Sequence, residues 1–140
     1  MKVFIVLLAI AAIASAEFTV KHFEDLLKYH DECGAENKVA AEHITKFKNQ
    51  EYGADEESFC HVRCLSMKIG VFDDEHGLLE DNMVTQVAAA NNKPVDEVRT
   101  VVKECKTMVD EFKSNHCMWA FKGFLCLKKH GFNVTDRKSA

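Results

Sequence analysis

Six cysteines are the residues of this chain with the widest choice of chemistry, since cysteine can form disulfides, ligate a metal or act as a nucleophile. A structural zinc site needs four closely spaced ligands. His61 and His116 lie beside cysteines, but no second close pair completes such a site. A catalytic thiol needs an unpaired cysteine near a base, whereas an even set of cysteines favours pairing. We therefore expect no metal, no cofactor and no catalytic residue. The six positions are Cys33, Cys60, Cys64, Cys105, Cys117 and Cys126.

The first sixteen residues indicate the compartment in which these cysteines fold. Lys2 is a short positive start, residues 3–14 are an unbroken apolar run, and Ala14-Ser15-Ala16 supplies the small residues of a cleavage site. This pattern is typical of a secretory signal peptide, and the run is too short for a membrane span of about 20 residues. We predict a signal peptide at residues 1–16 and one domain at residues 17–140 that is secreted, extracellular and without stable membrane insertion. Export to an oxidising compartment favours three disulfides.

The spacing of the cysteines leaves their connectivity open, because six cysteines allow 15 pairings. Cys60 and Cys64 are four residues apart, so on a helix they share a face one turn apart and are poorly aimed at each other. We expect each of them to pair with a different neighbour.

Helices must position these residues, because apolar side chains recur at steps of three and four through most of the chain. The strongest pattern follows Pro94 and consists of Val95, Val98, Val102, Cys105, Val109 and Phe112. A single proline and six glycines disfavour a sandwich of short strands and tight turns. The sequence therefore predicts an all-α fold of five to seven helices stapled by three disulfides.

Capping residues predict where several of these helices begin and end. Thr19 is expected to cap the first helix, and Asn37 to open the second. Asp55 is a typical N-cap, Gly70 is a typical C-terminal stop, and Asn115 or its neighbour Ser114 starts the last helix.

Charge excludes one class of partner. The chain has 18 Lys and Arg against 22 Asp and Glu, a formal net charge of −4. A nucleic-acid-binding domain needs a basic face, so we expect no nucleic-acid partner.

The cysteine intervals of the whole chain carry a family resemblance. The five intervening segments have 26, 3, 40, 11 and 8 residues, and Gly70-Val71-Phe72-Asp73 follows soon after the third cysteine. This pattern resembles the six-cysteine signature of the insect odorant-binding proteins of the pheromone and general-odorant type. The intervals of 3 and 8 residues are the diagnostic ones, and the match covers essentially all of residues 17–140.

The resemblance implies a pairing, a fold and a role. The bridges would be Cys33–Cys64, Cys60–Cys117 and Cys105–Cys126. The fold would be a compact bundle of about six helices around one hydrophobic pocket. The protein would reversibly bind small hydrophobic molecules, such as odorants or pheromones, and carry them through aqueous fluid. A carrier of lipids or hormones in haemolymph or another secretion is the alternative, and a chemoreceptor contact or a homodimer is left open.

The family has no fixed ligand motif, so the pocket residues are assigned by their place between the cysteines. A stripe at helical spacing looks the same in a ligand pocket and in a solid core, and both interpretations stay open for each residue. Trp119 is expected at a helix edge as a partial core residue. The expected pocket residues are Phe72, Leu79, Met83, Val87, Val98, Val102, Phe121, Phe124, Leu127 and Phe132.

A secreted helical enzyme and a protein-interaction module are the rival classes. A phospholipase A2 would carry adjacent cysteines followed by a His-Asp pair, and the chain has no adjacent cysteines. His30 and Asp31 are consecutive, and consecutive helical residues point apart. We therefore expect no enzyme. An interaction protein without a cavity would differ only in failing to bind apolar ligands.

The histidines and the short C-terminal tail are two further features of the sequence. Histidine changes charge near neutral pH, so a pH-dependent release of ligand is a hypothesis. Asn133-Val134-Thr135 matches the N-glycosylation acceptor pattern, and the short polar tail around Phe132 and Val134 suits a lid better than an extra helix. The seven histidines are His22, His30, His43, His61, His76, His116 and His130.

Overall fold

The computed structural model describes residues 17–136, so the predicted signal peptide at residues 1–16 lies outside the described residues. Six α-helices and one short hairpin make up the ordered elements of this part of the chain, which confirms the all-α prediction. The helices are α1 (Phe23–Glu36), α2 (Ala41–Lys48), α3 (Glu56–Ile69), α4 (Glu80–Asn91), α5 (Val95–Met108) and α6 (His116–Lys129). The hairpin strands are β1 (Phe72–Asp73) and β2 (Gly77–Leu78), and a 3-10 turn covers Asp110–Phe112. Within residues 17–136, the helices are all too short or too polar to cross a membrane.

Several helix ends form where the local sequence predicts them. The Asp55 side chain accepts a hydrogen bond from Ser58 N at 2.9 Å at the start of α3. Gly70 ends α3 with a φ of +91°, a left-handed conformation that favours glycine. The Asn115 side chain accepts from Met118 N at 3.1 Å at the start of α6.

The predicted start of α1 at Thr19 is wrong, because distant residues hold the backbone before Phe23. Lys21 N donates to Gln86 Oε1 at 2.8 Å, and Lys21 O accepts from Gln86 Nε2 at 2.8 Å. These bonds use the backbone groups that a helix from Thr19 would need. The helix begins instead at Phe23, with His22 as the N-cap, and His22 N donates to Asp25 Oδ2 at 2.9 Å.

Two further boundaries differ from the sequence prediction. The second helix starts at Ala41, after Lys38 adopts a positive φ of 56°, rather than at Asn37. The long helix α5 ends at Met108, and the chain tightens into a 3-10 turn in which Phe112 N donates to Val109 O at 2.9 Å.

The disulfides make α3 and α6 the centre of the fold. Cys33–Cys64 joins α1 to α3, Cys60–Cys117 joins α3 to α6, and Cys105–Cys126 joins α5 to α6. These are the pairs that the family resemblance implies. Helices α3 and α6 also form the most extensive packing interface between two elements.

The hairpin seals one side of the core around Trp119. Trp119 is 7% exposed and packs edge-to-face on Phe72, with ring centroids 5.5 Å apart. A Cβ at Gly77 would come within 2.3 Å of the Trp119 ring, and the Gly77 φ is +72°. The prediction that Trp119 lies at a helix edge is therefore wrong: the glycine opens room for the indole inside the core.

Candidate functional site

A partly open cleft lies between α1, α3, α6 and the C-terminal segment. It encloses a small cavity of about 40 Å³ that is partly open to solvent. Its apolar walls come from Leu26, Val62, Leu65, Ile69, Phe124 and Val134. Its polar lining residues are Gln50, Tyr52, Ser66, Lys128, Asn133 and Thr135.

The floor of the cleft is one face of α3. Val62, Leu65 and Ile69 recur at helical spacing and are 3%, 5% and 3% exposed. The bridges from α3 to α1 and α6 hold this face against the two neighbouring helices. The cleft therefore has a rigid apolar floor, on which an apolar ligand would lose its contact with water.

The C-terminal segment, residues 131–136, forms a second wall. Buried Gln86 on α4 donates from Nε2 to Val134 O at 2.8 Å. Asn91 donates to Asn133 O at 2.7 Å and accepts from Asn133 N at 2.9 Å. Phe23 N donates to Asp136 Oδ1 at 2.8 Å. Side-chain latches thus hold this wall to α1 and α4.

The sequence patterns did not predict that Gln86 and Asn91 bond to the C-terminal segment. Gln86 lies within an apolar stretch of α4, and it is fully buried. A buried side-chain amide is costly unless its hydrogen bonds are made. The one available signal was a glutamine at a core position of an amphipathic helix.

Thr135 of the glycosylation pattern is 5% exposed, and whether Asn133 is modified stays a prediction.

The mouth of the cleft carries a cation. Among the residues that line the cleft, Lys128 and Gln50 are exposed, and Lys128 Nζ donates to Gln50 Oε1 at 2.8 Å. The same ammonium lies 5.6 Å from the centre of the Phe124 ring. Burial raises the pKa of Tyr52 well above its usual value, so the phenol stays protonated beside this mouth.

Two buried histidines pack behind the cleft. His30 Nδ1 and His61 Nε2 are 2.9 Å apart, and the two residues are 1% and 0% exposed. His61 also packs on Phe47, which in turn stacks on the cleft residue Tyr52. Burial lowers the pKa of each histidine to about 4, and for His30 the neighbouring His61 adds to the effect. Both rings are therefore neutral at neutral pH.

The ten expected pocket residues fall into three groups. Phe124 lines the cleft. Leu79 is half-buried and immediately precedes α4. The others are buried away from this lining set: Phe72, Met83, Val87, Val98, Val102, Phe121, Leu127 and Phe132. Contact of these buried residues with a ligand stays a prediction. The floor residues of α3 were missed because core and cleft positions share one helical period.

In the part of the chain that the structure describes, three groups of metal-ligating side chains are close together, and each contains a disulfide. They are Cys33, Glu36 and Cys64; Glu56, Cys60 and Cys117; and Cys105, Cys126 and His130. The thiolate is the metal-binding form of cysteine, and the disulfide sulfurs here are already bonded to each other.

Comparison with known proteins places these features in one family. Residues 15–130 match the PBP/GOBP family. Odorant-binding protein 22 of Aedes aegypti is 41% identical over 135 residues, which cover 96% of this chain and 94% of that protein. General odorant-binding protein 99a of Drosophila melanogaster is 32% identical over 140 residues, covering 100% of this chain and 98% of that protein.

A solved structure shares the fold. It is described as "Fatty acid binding protein OBP56a from the oral disk of the blowfly Phormia regina". The similarity covers 84% of this chain and 97% of that chain, with a TM-score of 0.66 and 23% sequence identity. At that identity the likeness concerns the fold.

Proposed function

Because the chain belongs to the PBP/GOBP family of odorant-binding proteins, we propose that it is a secreted carrier that binds small hydrophobic molecules reversibly in the cleft and transports them through aqueous fluid. The family consists of carriers rather than enzymes.

The observation that carries the proposal is the apolar floor of the cleft. Val62, Leu65 and Ile69 line the cleft, and Val62 and Leu65 lie outside the main hydrophobic core cluster, which Ile69 joins. The cavity of about 40 Å³ must widen to admit a ligand. A ligand that then buries about 300 Å² of apolar surface gains roughly 7–8 kcal/mol before the cost of lost freedom. Low-micromolar affinity follows, which suits a carrier that must also release its cargo.

The C-terminal segment supplies a route for exchange. Its contacts to Gln86 and Asn91 are hydrogen bonds from side chains to backbone, without a covalent link. Releasing them would widen the cleft while the disulfide-linked helices stay in place. This supports the expectation that the tail is a lid, with Phe132 anchored in the core and Val134 on the cleft wall.

The blowfly protein of the same fold is described as binding a fatty acid, which supports a cargo with a long apolar part. Chemosensory duty and lipid carriage in another secretion use the same cleft chemistry, and the tissue in which the protein is made distinguishes them.

Displacement of an environment-sensitive apolar dye tests the proposal. The oxidised protein of residues 17–140 should take up the dye and release it to long-chain alcohols, esters or aromatics. Ser66 lines the cleft, so Ser66→Phe should fill it and weaken dye binding at least about tenfold.

The matched control is Met67→Phe, because Met67 is the next residue of α3 and is 41% exposed. It should leave dye affinity unchanged. A folded, fully oxidised protein that takes up no dye would contradict the carrier proposal and favour a protein-interaction role.

A further inference from the structure

We propose that Lys128 makes the cleft selective for ligands that carry one carboxylate at the end of an aliphatic chain. This inference rests on the proposed function, because it assigns a headgroup to the ligand of the same cleft. It names Lys128 as the residue that separates anionic from neutral ligands of equal length.

The first observation is that Lys128 has no carboxylate partner. Two lysines on neighbouring helices are ion-paired: Lys48 lies 2.7 Å from Asp31, and Lys68 lies 2.9 Å from Glu36. Within residues 17–136, no carboxylate oxygen lies within 4.0 Å of Lys128 Nζ, whose acceptor is the neutral Gln50 amide. Hydrogen bonds with charges on both sides are stronger than those with one neutral partner. A carboxylate would therefore displace the Gln50 oxygen.

The second observation is the position of this ammonium relative to the apolar walls. Nζ lies above the ring of Phe124, and Phe124 is itself a wall of the cleft. The exposed mouth at Lys128 and Gln50 passes into a floor of buried aliphatic residues, Leu65 among them. A head at Nζ thus continues directly into a tail on the floor, which matches the two-part chemistry of a monocarboxylate with an alkyl chain.

The positive charge of the described cleft lining is matched by a ligand head group with one negative charge. Among residues 17–136, Lys128 is the one charged residue that lines the cleft. A phosphate monoester carries more charge and is better matched by several donors in a fork, such as arginines. The whole chain has a formal net charge of −4, so overall electrostatics does not attract anions. Selectivity for a carboxylate must come from the local cation.

The test compares two ligands of one chain length, dodecanoic acid and dodecanol, on the oxidised protein of residues 17–140 at pH 7.5. Lys128→Met keeps the aliphatic length and removes the charge. It should weaken dodecanoate about fivefold, the size of one partly exposed ion pair, and leave dodecanol within twofold. Lys128→Arg should retain dodecanoate affinity. Added salt should weaken dodecanoate and not dodecanol.

Lys129→Met is the matched control, because Lys129 is exposed on the same helical turn and does not line the cleft. It should change neither affinity. Equal loss of both ligands in Lys128→Met, or loss of neither, would overturn the assignment of Lys128 while leaving the carrier role intact. Failure of the unmodified protein to bind either ligand would overturn the proposed function itself.

Discussion

At the scale of single residues, the buried pair His30 and His61 gives this protein an acid-sensitive core. Both rings are neutral because burial lowers their pKa to about 4. His61 Nδ1 has no hydrogen-bond partner within residues 17–136. The tautomer in which His61 Nε2–H donates to His30 Nδ1 leaves a lone pair rather than an N–H unpaired there, which is the less costly arrangement.

The pair predicts a loss of stability in mild acid. Each histidine has a lower pKa in the folded chain than the ordinary 6.5, so the unfolded chain binds more protons between about pH 6.5 and 4. Stability should be constant above that window and fall through it, by an amount on the order of a few kcal/mol. Urea unfolding at pH 7.5, 6, 5 and 4.5 measures this dependence.

The double variant His30→Leu with His61→Leu should flatten that pH dependence. His76→Gln is the control, since His76 is exposed on the hairpin and should leave the dependence as it is. An unchanged slope in the double variant would show that other groups cause the acid sensitivity. Ligand affinity measured at pH 7 and 5 on the same proteins decides whether the pair also affects release.

At the scale of elements, Gln86 joins three segments that are far apart in the sequence. Its side chain bonds both backbone groups of Lys21 and the carbonyl of Val134. The extended entry to α1, helix α4 and the C-terminal wall of the cleft therefore share one buried amide. Removing it leaves several backbone groups without partners.

Gln86→Met should keep the volume and remove these bonds. The expected cost is about 2–4 kcal/mol in the free energy of unfolding, because each unpaired buried backbone group costs about 1–3 kcal/mol. Amide hydrogen exchange should accelerate at residues 18–22 and 132–136. Thr85→Met, on the exposed side of α4, is the control and should change neither quantity. Unaltered exchange in Gln86→Met would mean that apolar packing alone holds the wall.

The same elements show which features of the fold could be predicted from the sequence and which could not. Asp55, Gly70 and Asn115 mark helix ends through bonds to residues within one turn, so they were predictable from their neighbours. The start of α1 was not, because it depends on Gln86, 65 residues from Lys21. The α3 residues on the floor of the cleft were not predicted, for a different reason. A residue that faces a void and a residue that faces a side chain have the same helical spacing, and only the packing of other elements separates them.

At the scale of the whole molecule, three disulfides place α3 and α6 in a covalent frame. The bridged residues are 57 apart for Cys60–Cys117, 31 apart for Cys33–Cys64 and 21 apart for Cys105–Cys126. In the loop-entropy model, a longer loop gives a larger stabilisation through the unfolded chain. The bridge between the two central helices should therefore matter most.

Replacing one pair of cysteines by serine at a time tests this order. Removal of Cys60–Cys117 should lower the free energy of unfolding by about 4 kcal/mol and removal of Cys105–Cys126 by about 3 kcal/mol, with Cys33–Cys64 between them. Urea unfolding of the three variants measures the order, with mass spectrometry confirming that the remaining pairs are intact. The reverse order would mean that native contacts around each bridge outweigh loop length.

Because the Gln86 side chain bonds to both Lys21 and Val134, residues 21 and 134 lie close together in space. These two residues are almost as far apart in the sequence as two described residues can be. Asp136 also lies beside the start of α1, because its side chain accepts from Phe23 N. A linker could therefore join the C-terminal segment to the segment before α1, and new ends could open at the exposed turn of Asn92 and Lys93. In such a circular permutant the cleft's C-terminal wall would become an internal loop tethered on both sides. In the wild-type connectivity, hydrogen bonds from the Gln86 and Asn91 side chains hold that wall to α4.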